Sequence, residues 1–82
     1  MGTTHVGQRF RLARDCAGIT RRQAAAIFGV DQTTVYRWET GDIGMSLDTQ
    51  IQAATEFGVD RNWLVFGEGA APKRKPQNAK AS

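Results

Sequence analysis

Glycine at positions 18, 29, 41 and 58 divides the sequence into short segments, and each segment carries the punctuation of a helix. Thr20, Asp31, Ser46 and Asp60 are short polar side chains of the kind that cap a helix start, and Gln23, three residues after Thr20, completes a capping-box pattern. Glycine after the last apolar residue of a segment is a helix stop, because it adopts the left-handed backbone that ends a helix. No stretch alternates apolar and polar residues over enough positions for a strand. The punctuation therefore predicts an all-α chain of five helices, over about residues 6–17, 21–28, 32–40, 46–57 and 61–66.

Each segment has a stripe to bury. Val6, Phe10, Ala13 and Ala17 recur at spacings of four, three and four, which stacks them on one helix face. Ala24, Ala25 and Phe28 form the inner face of the second helix, where the small alanines allow another helix to approach closely. Val35 and Trp38 serve the third helix, Leu47, Ile51, Ala54 and Phe57 the fourth, and Trp63 and Leu64 the fifth. A chain of 82 residues has room for one such core. The expected domain is 1–69; the remaining AAPKRKPQNAKAS, residues 70–82, has no large apolar residue and reads as a disordered basic tail.

Charge is distributed unevenly along the chain. Residues 1–40 carry six arginines against three carboxylates, residues 41–69 one arginine against five, and residues 70–82 four cations. A basic front half and tail suit a protein that presents one face to a polyanion, although scattered solubilising charge explains the same numbers. The lone Cys16 has no disulfide partner within the chain, and with the single His5 it gives no metal cluster and no nucleophile pair. Cys16 reads as a small helix residue and His5 as a solvated side chain. No apolar run approaches a membrane span and no leader pattern opens the chain, so the expectation is a cytoplasmic protein without membrane contact. Paired carboxylates in an evident cleft and a phosphate loop are also missing, so no enzyme activity, small-molecule substrate or cofactor is expected.

Two short helices joined by a glycine turn, with alanine on the inner face of the first, form a helix-turn-helix pattern. At this point the chain resembles the lambda-repressor-like (Cro/C1-type) family of DNA-binding domains. The matching features are Arg14, the GIT of residues 18–20, Ala25, the GV of residues 29–30, the E-x-G of residues 39–41, and NWLVFGEG over residues 62–69. They run in the family's order over about 60 residues. The resemblance implies a double-stranded DNA partner, an operator with inverted repeats, and a homodimer at least on DNA. It also implies that Arg14 and Glu39 pair and tie the first helix to the end of the third. Similar proteins place glutamine at the start of the second helix, where it touches a phosphate. This chain has Arg21 there, followed by Arg22, and both are assigned to phosphate. After Gly41 the family often carries basic residues; here the sequence is DIGM, and Asp42 would repel a phosphate.

The third helix supplies the reading residues. At 100° per residue, Gln32, Thr33, Tyr36 and Arg37 fall within about 140° of one another, away from Val35 and Trp38. Glutamine can offer a donor and an acceptor to adenine, arginine can bond guanine through two nitrogens, and a threonine methyl can pack on a thymine methyl. Those four are expected to read bases, and Thr34, at the edge of the face, to bond a phosphate. An ordinary solvent-facing polar surface is the bland alternative. In the fifth helix Val65 and Phe66 cannot both point inward with Trp63 and Leu64, so they are expected to form a dimer interface. The expected function is a sequence-specific transcriptional regulator, most like a phage or prophage repressor. The alternatives are an antitoxin that regulates its own promoter and a protein-binding module that has kept the fold. Residues 1–69 hold seven cations against eight carboxylates, and this near-neutral balance keeps the last alternative open.

Overall fold

The computed structural model describes residues 5–69 and 71–72. The basic tail expected over residues 70–82 lies outside the described residues except at positions 71 and 72. Five helices follow in order: α1 (Val6–Cys16), α2 (Arg21–Phe28), α3 (Gln32–Thr40), α4 (Leu47–Phe57) and α5 (Arg61–Phe66). No strand occurs among the described residues. The first helix ends one residue earlier than its apolar stripe suggested, with Ala17 as its C-cap.

The local punctuation explains the boundaries. Thr20 Oγ1 accepts from the Gln23 backbone N–H at 3.0 Å, and the Gln23 side chain accepts from the Thr20 N–H at 2.8 Å, closing the capping box of α2. Asp31, Ser46 and Asp60 likewise accept backbone N–H groups at the starts of α3, α4 and α5. His5 caps α1 in the same manner, its Nδ1 accepting from the Gly7 N–H at 3.0 Å. It is exposed, as a solvated side chain should be, but it also has this local task. Between α2 and α3, Gly29 takes φ 69° and so turns the chain without the steric cost a Cβ would bring.

The core centres on four aromatic rings drawn from four elements. Phe10 of α1, fully buried, lies 5.2 Å from the Phe57 ring, 5.8 Å from Phe28 and 5.9 Å from Trp38, at tilted or edge-on angles that suit ring quadrupoles. Ala13, Ala24, Val35, Ala53 and Leu64 fill in around them with no exposed surface. The α1–α3 crossing is close enough that a Cβ on Gly7 would collide with the Trp38 carbonyl oxygen. The expected stripe of α4 is corrected at two positions, since Ile51 is only half-buried and outside the core cluster and Leu47 is exposed. Leu47 is 56% exposed, whereas Ala53 and, from the loop before the helix, Met45 are buried in the core. Leu47 is the first residue of α4, and the side chains that reach the core there are Ala53, Ala54 and Phe57, farther along the helix.

Charge also enters the interior. Arg9 is buried, and its Nε and Nη2 donate to the carbonyl oxygens of Leu64 and Val65 at 2.8 and 3.0 Å, holding the end of α5 to α1. Burial pushes its guanidinium pKa below the ordinary value. Every buried side-chain nitrogen and oxygen among the described residues has a hydrogen-bond partner. The fold thus presents α3 with one side in the core and the other in water.

Candidate nucleic-acid interface

Helix α3 divides its residues sharply. Val35 is fully buried and Trp38 nearly so, while Gln32, Thr33, Tyr36 and Arg37 are exposed and Thr34 is half-buried between the two sets. The division follows from the 3.6-residue period, since the buried pair is three residues apart and the exposed set occupies the remaining arc. At the start of the helix, Asp31 Oδ1 accepts the Thr34 N–H at 2.9 Å. That backbone hydrogen bond, aided by the Thr34 hydroxyl and by Arg37, holds the exposed Asp31 carboxyl below its usual range.

On the inner side of α3 lies a three-member charge cluster. Arg14 Nε donates to Glu39 Oε2 at 2.7 Å, and Arg14 Nη2 reaches Oε1 at 3.3 Å. Arg14 Nη1 donates to the Ile19 carbonyl at 2.9 Å, which ties the α1–α2 connection into the same cluster. Arg21 then joins from α2, its Nε donating to Glu39 Oε1 at 2.9 Å. Glu39 is the most enclosed member, its side chain 2% exposed against 8% for Arg14 and 35% for Arg21. The structure therefore brings Arg14 and Glu39 together as the resemblance implied, and adds a partner that sequence spacing did not suggest. From sequence alone Arg21 is expected only to bond a phosphate. It starts α2 while Glu39 lies in the last turn of α3, 18 residues away, so no local periodicity links them.

The outer side is built differently. Arg37 Nε lies 3.6 Å from Asp42 Oδ2, and both side chains are more than half exposed. Asp42 can reach Arg37 because the chain reverses at Gly41, where the Asp42 N–H donates back to the Arg37 carbonyl at 2.9 Å. The acid that seemed only to repel phosphate is thus the neighbour of the principal base-reading candidate. Thr33, Tyr36, Arg37, Thr40, Gly41 and Asp42 line an open groove along this face. Beside it, a second concavity is lined by Arg11, Arg14, Thr20, Arg21, Arg22 and Gln32, so the starts of α2 and α3 share one basic hollow. Arg11 is a member that sequence reasoning missed; its only signal was a position three residues before Arg14. Tyr36 lines the first hollow and Arg21 the second, and the Tyr36 ring centroid lies 5.1 Å from the Arg21 guanidinium carbon.

In α5 the last two residues differ in exposure. Phe66 is 66% exposed and Val65 half-buried, so only one member of the expected apolar pair is largely open to solvent. Among the described residues no helix is long and apolar enough to cross a membrane, and no group of three or more His, Cys, Asp or Glu side chains could hold a metal ion.

Comparison with known proteins agrees with this arrangement. No curated protein matches the sequence significantly. The family model described as a helix-turn-helix domain matches residues 5–64, well over half of the chain, and the match is consistent with the Cro/C1-type resemblance. With α2 and α3 packed on one core, Gly29 between them and the family match spanning α1 to the buried Leu64, the chain belongs to the helix-turn-helix domain family.

Proposed function

We propose that the protein is a sequence-specific DNA-binding transcriptional regulator that lays α3 in the major groove, most like a phage or prophage Cro/C1-type repressor. The observation that carries this reading is the exposure of Gln32, Thr33, Tyr36 and Arg37 on one side of a helix whose opposite side is fixed in the core. Their donors, acceptors and methyl groups are those that distinguish base pairs in the major groove. Arg22 and Thr34 flank the face and bond phosphates, which sets the register of the helix without reading sequence. The Arg21 side chain reaches the same hollow from α2, with its Nε engaged by Glu39. Phe66, projecting from α5, anchors a weak two-fold dimer that reads half-sites about 34 Å apart on one side of the duplex.

Selection of duplexes from a random-sequence pool tests this directly. The reading requires a recovered consensus with inverted repeats, bound by two protomers. Arg22→Ala should weaken every duplex about equally and lower the salt slope by about one. Recovery of no consensus would instead favour a protein-binding module, the alternative suggested by seven cations against eight carboxylates in residues 1–69. An antitoxin role would show as a toxin gene beside this one.

A further inference from the structure

Arg21 occupies an unusual position for a phosphate ligand. Its Nε is committed to Glu39 at 2.9 Å, and Glu39 is itself held at 2.7 Å by the buried Arg14. The guanidinium plane is thereby fixed in place, and it lies over the ring of Tyr36, 5.1 Å from the centroid. Tyr36 is 51% exposed and would otherwise be free to change rotamer in water. A cation over an aromatic face holds the ring by its quadrupole, and arginine adds planar stacking that lysine cannot give.

We infer that Arg21 is a positioning residue for base reading: anchored by the Arg14–Glu39 pair, it clamps the Tyr36 ring and so sets what that ring presents to a base pair. This rests on the reading of α3 as the DNA-contacting helix, but the clamp itself exists without DNA. The chain of contacts runs from α1 through the end of α3 to α2 and back to the middle of α3. A phosphate contact by the terminal nitrogens of Arg21 is compatible with the clamp, since among the described residues no carboxylate other than Glu39 engages this side chain.

The clamp and a mere phosphate ligand make different demands on the same variants. If Arg21 only neutralises a phosphate, Arg21→Lys restores much of what Arg21→Ala loses, and the loss is the same factor for every duplex. If it positions Tyr36, both variants lower discrimination at one base pair, by roughly two- to fivefold. Tyr36→Ala should relax the same base pair, and adding Arg21→Ala to it should cost no further discrimination, a non-additivity that marks one shared role. Arg14 still satisfies Glu39 in these variants, so the fold is retained.

A readout without DNA separates this inference from the reading it rests on. Tyr36 is the single tyrosine of the chain, so the nuclear magnetic resonance signals of its ring are identified without ambiguity. In the wild-type protein the Arg21 side-chain protons should be shifted upfield by that ring, and Tyr36→Leu should abolish the shift. Loss of the shift together with coincident, non-additive effects on discrimination supports the clamp. An Arg21 signal that does not respond to Tyr36→Leu overturns it, as does a uniform loss of affinity rescued by Arg21→Lys. A protein that shows the ring shift yet selects no DNA sequence overturns the assignment of Arg21 to base reading through the failure of that reading, while the contact stands.

Discussion

Arginine–carboxylate pairs are attached to both sides of α3, and the tightest inner pair behaves oppositely to the outer one. Arg14–Glu39 faces inward at 2.7 Å, with side chains 8% and 2% exposed; Arg37–Asp42 faces outward at 3.6 Å, with side chains 55% and 65% exposed. The chemistry is the same and the surroundings differ. Inside, neither ion can recover its hydration if the other is removed, so the pair is a fixed joint between α1 and α3. Outside, water and salt screen the attraction, and such a pair contributes about 0–1 kcal/mol. Arg37 can therefore leave Asp42 for a guanine at little cost, whereas Arg14 cannot leave Glu39. One helix carries both a fixed joint and an exposed arginine, which the proposed function assigns to base reading, because burial, not residue type, separates the two pairs.

Dismantling the inner pair should have the largest effect on the molecule. The double variant Arg14→Ala, Arg21→Ala leaves the enclosed Glu39 without either arginine and should cost roughly 3 to 5 kcal/mol. Arg14→Ala alone should fall near the lower end of that range, because Arg21 still holds Oε1. Urea denaturation measures both, and equal losses for the single and double variants would remove Arg21 from the joint.

Next in size is the crossing that positions the joint. Gly7→Ala forces a methyl group against the Trp38 carbonyl and should destabilise by about 1 to 3 kcal/mol, read as a lower urea midpoint with an unchanged slope. A smaller effect is expected outside. Asp42→Asn should change stability by less than about 1 kcal/mol, and raising the salt concentration should erase the difference.

The smallest effect is a dependence on pH. The native pKa of Asp31 is lowered, chiefly by the Thr34 N–H, so its cap contributes stability that is present above the ordinary aspartate range. That contribution is lost as pH falls through the lower native value. Asp31→Asn keeps a capping oxygen but does not titrate, so the difference between the two proteins should narrow or reverse toward acid. A gap that stays constant across the acid range would show that the carboxylate charge is not what strengthens the cap.

Much of the fold was legible because it is written locally. Thr20 with Gln23, Asp31, Ser46 and Asp60 place the helix starts, and Gly29, Gly41 and Gly58 place the ends, each through bonds that span a few residues. The exposed set on α3 was legible for the same reason, since one period fixes which residues share a side. What escaped were contacts between distant parts of the chain. Arg9 counts as one more surface cation in the sequence, yet it is buried against carbonyls more than 50 positions away. Gly7 looks like an ordinary helix residue until α3 is laid across it. Leu47 has the spacing of a core residue but lies at the very start of α4, exposed, whereas the core there includes Met45 from a loop that has no periodicity to read.

If the outer side of α3 reads bases, Arg37 is the residue whose loss should show it, because its side chain is exposed and long enough to reach a base edge. The measurement is the affinity of wild-type protein and of Arg37→Ala for the selected consensus duplex, for each of its single-base-pair variants and for random DNA, at one salt concentration. Arg37→Ala should lose roughly 1 to 3 kcal/mol on the consensus and become indifferent to the base pair at one position in each half-site, while discrimination elsewhere is kept. If Arg37→Ala weakens every duplex by the same factor, Arg37 is a backbone anchor and α3 does not read sequence through it.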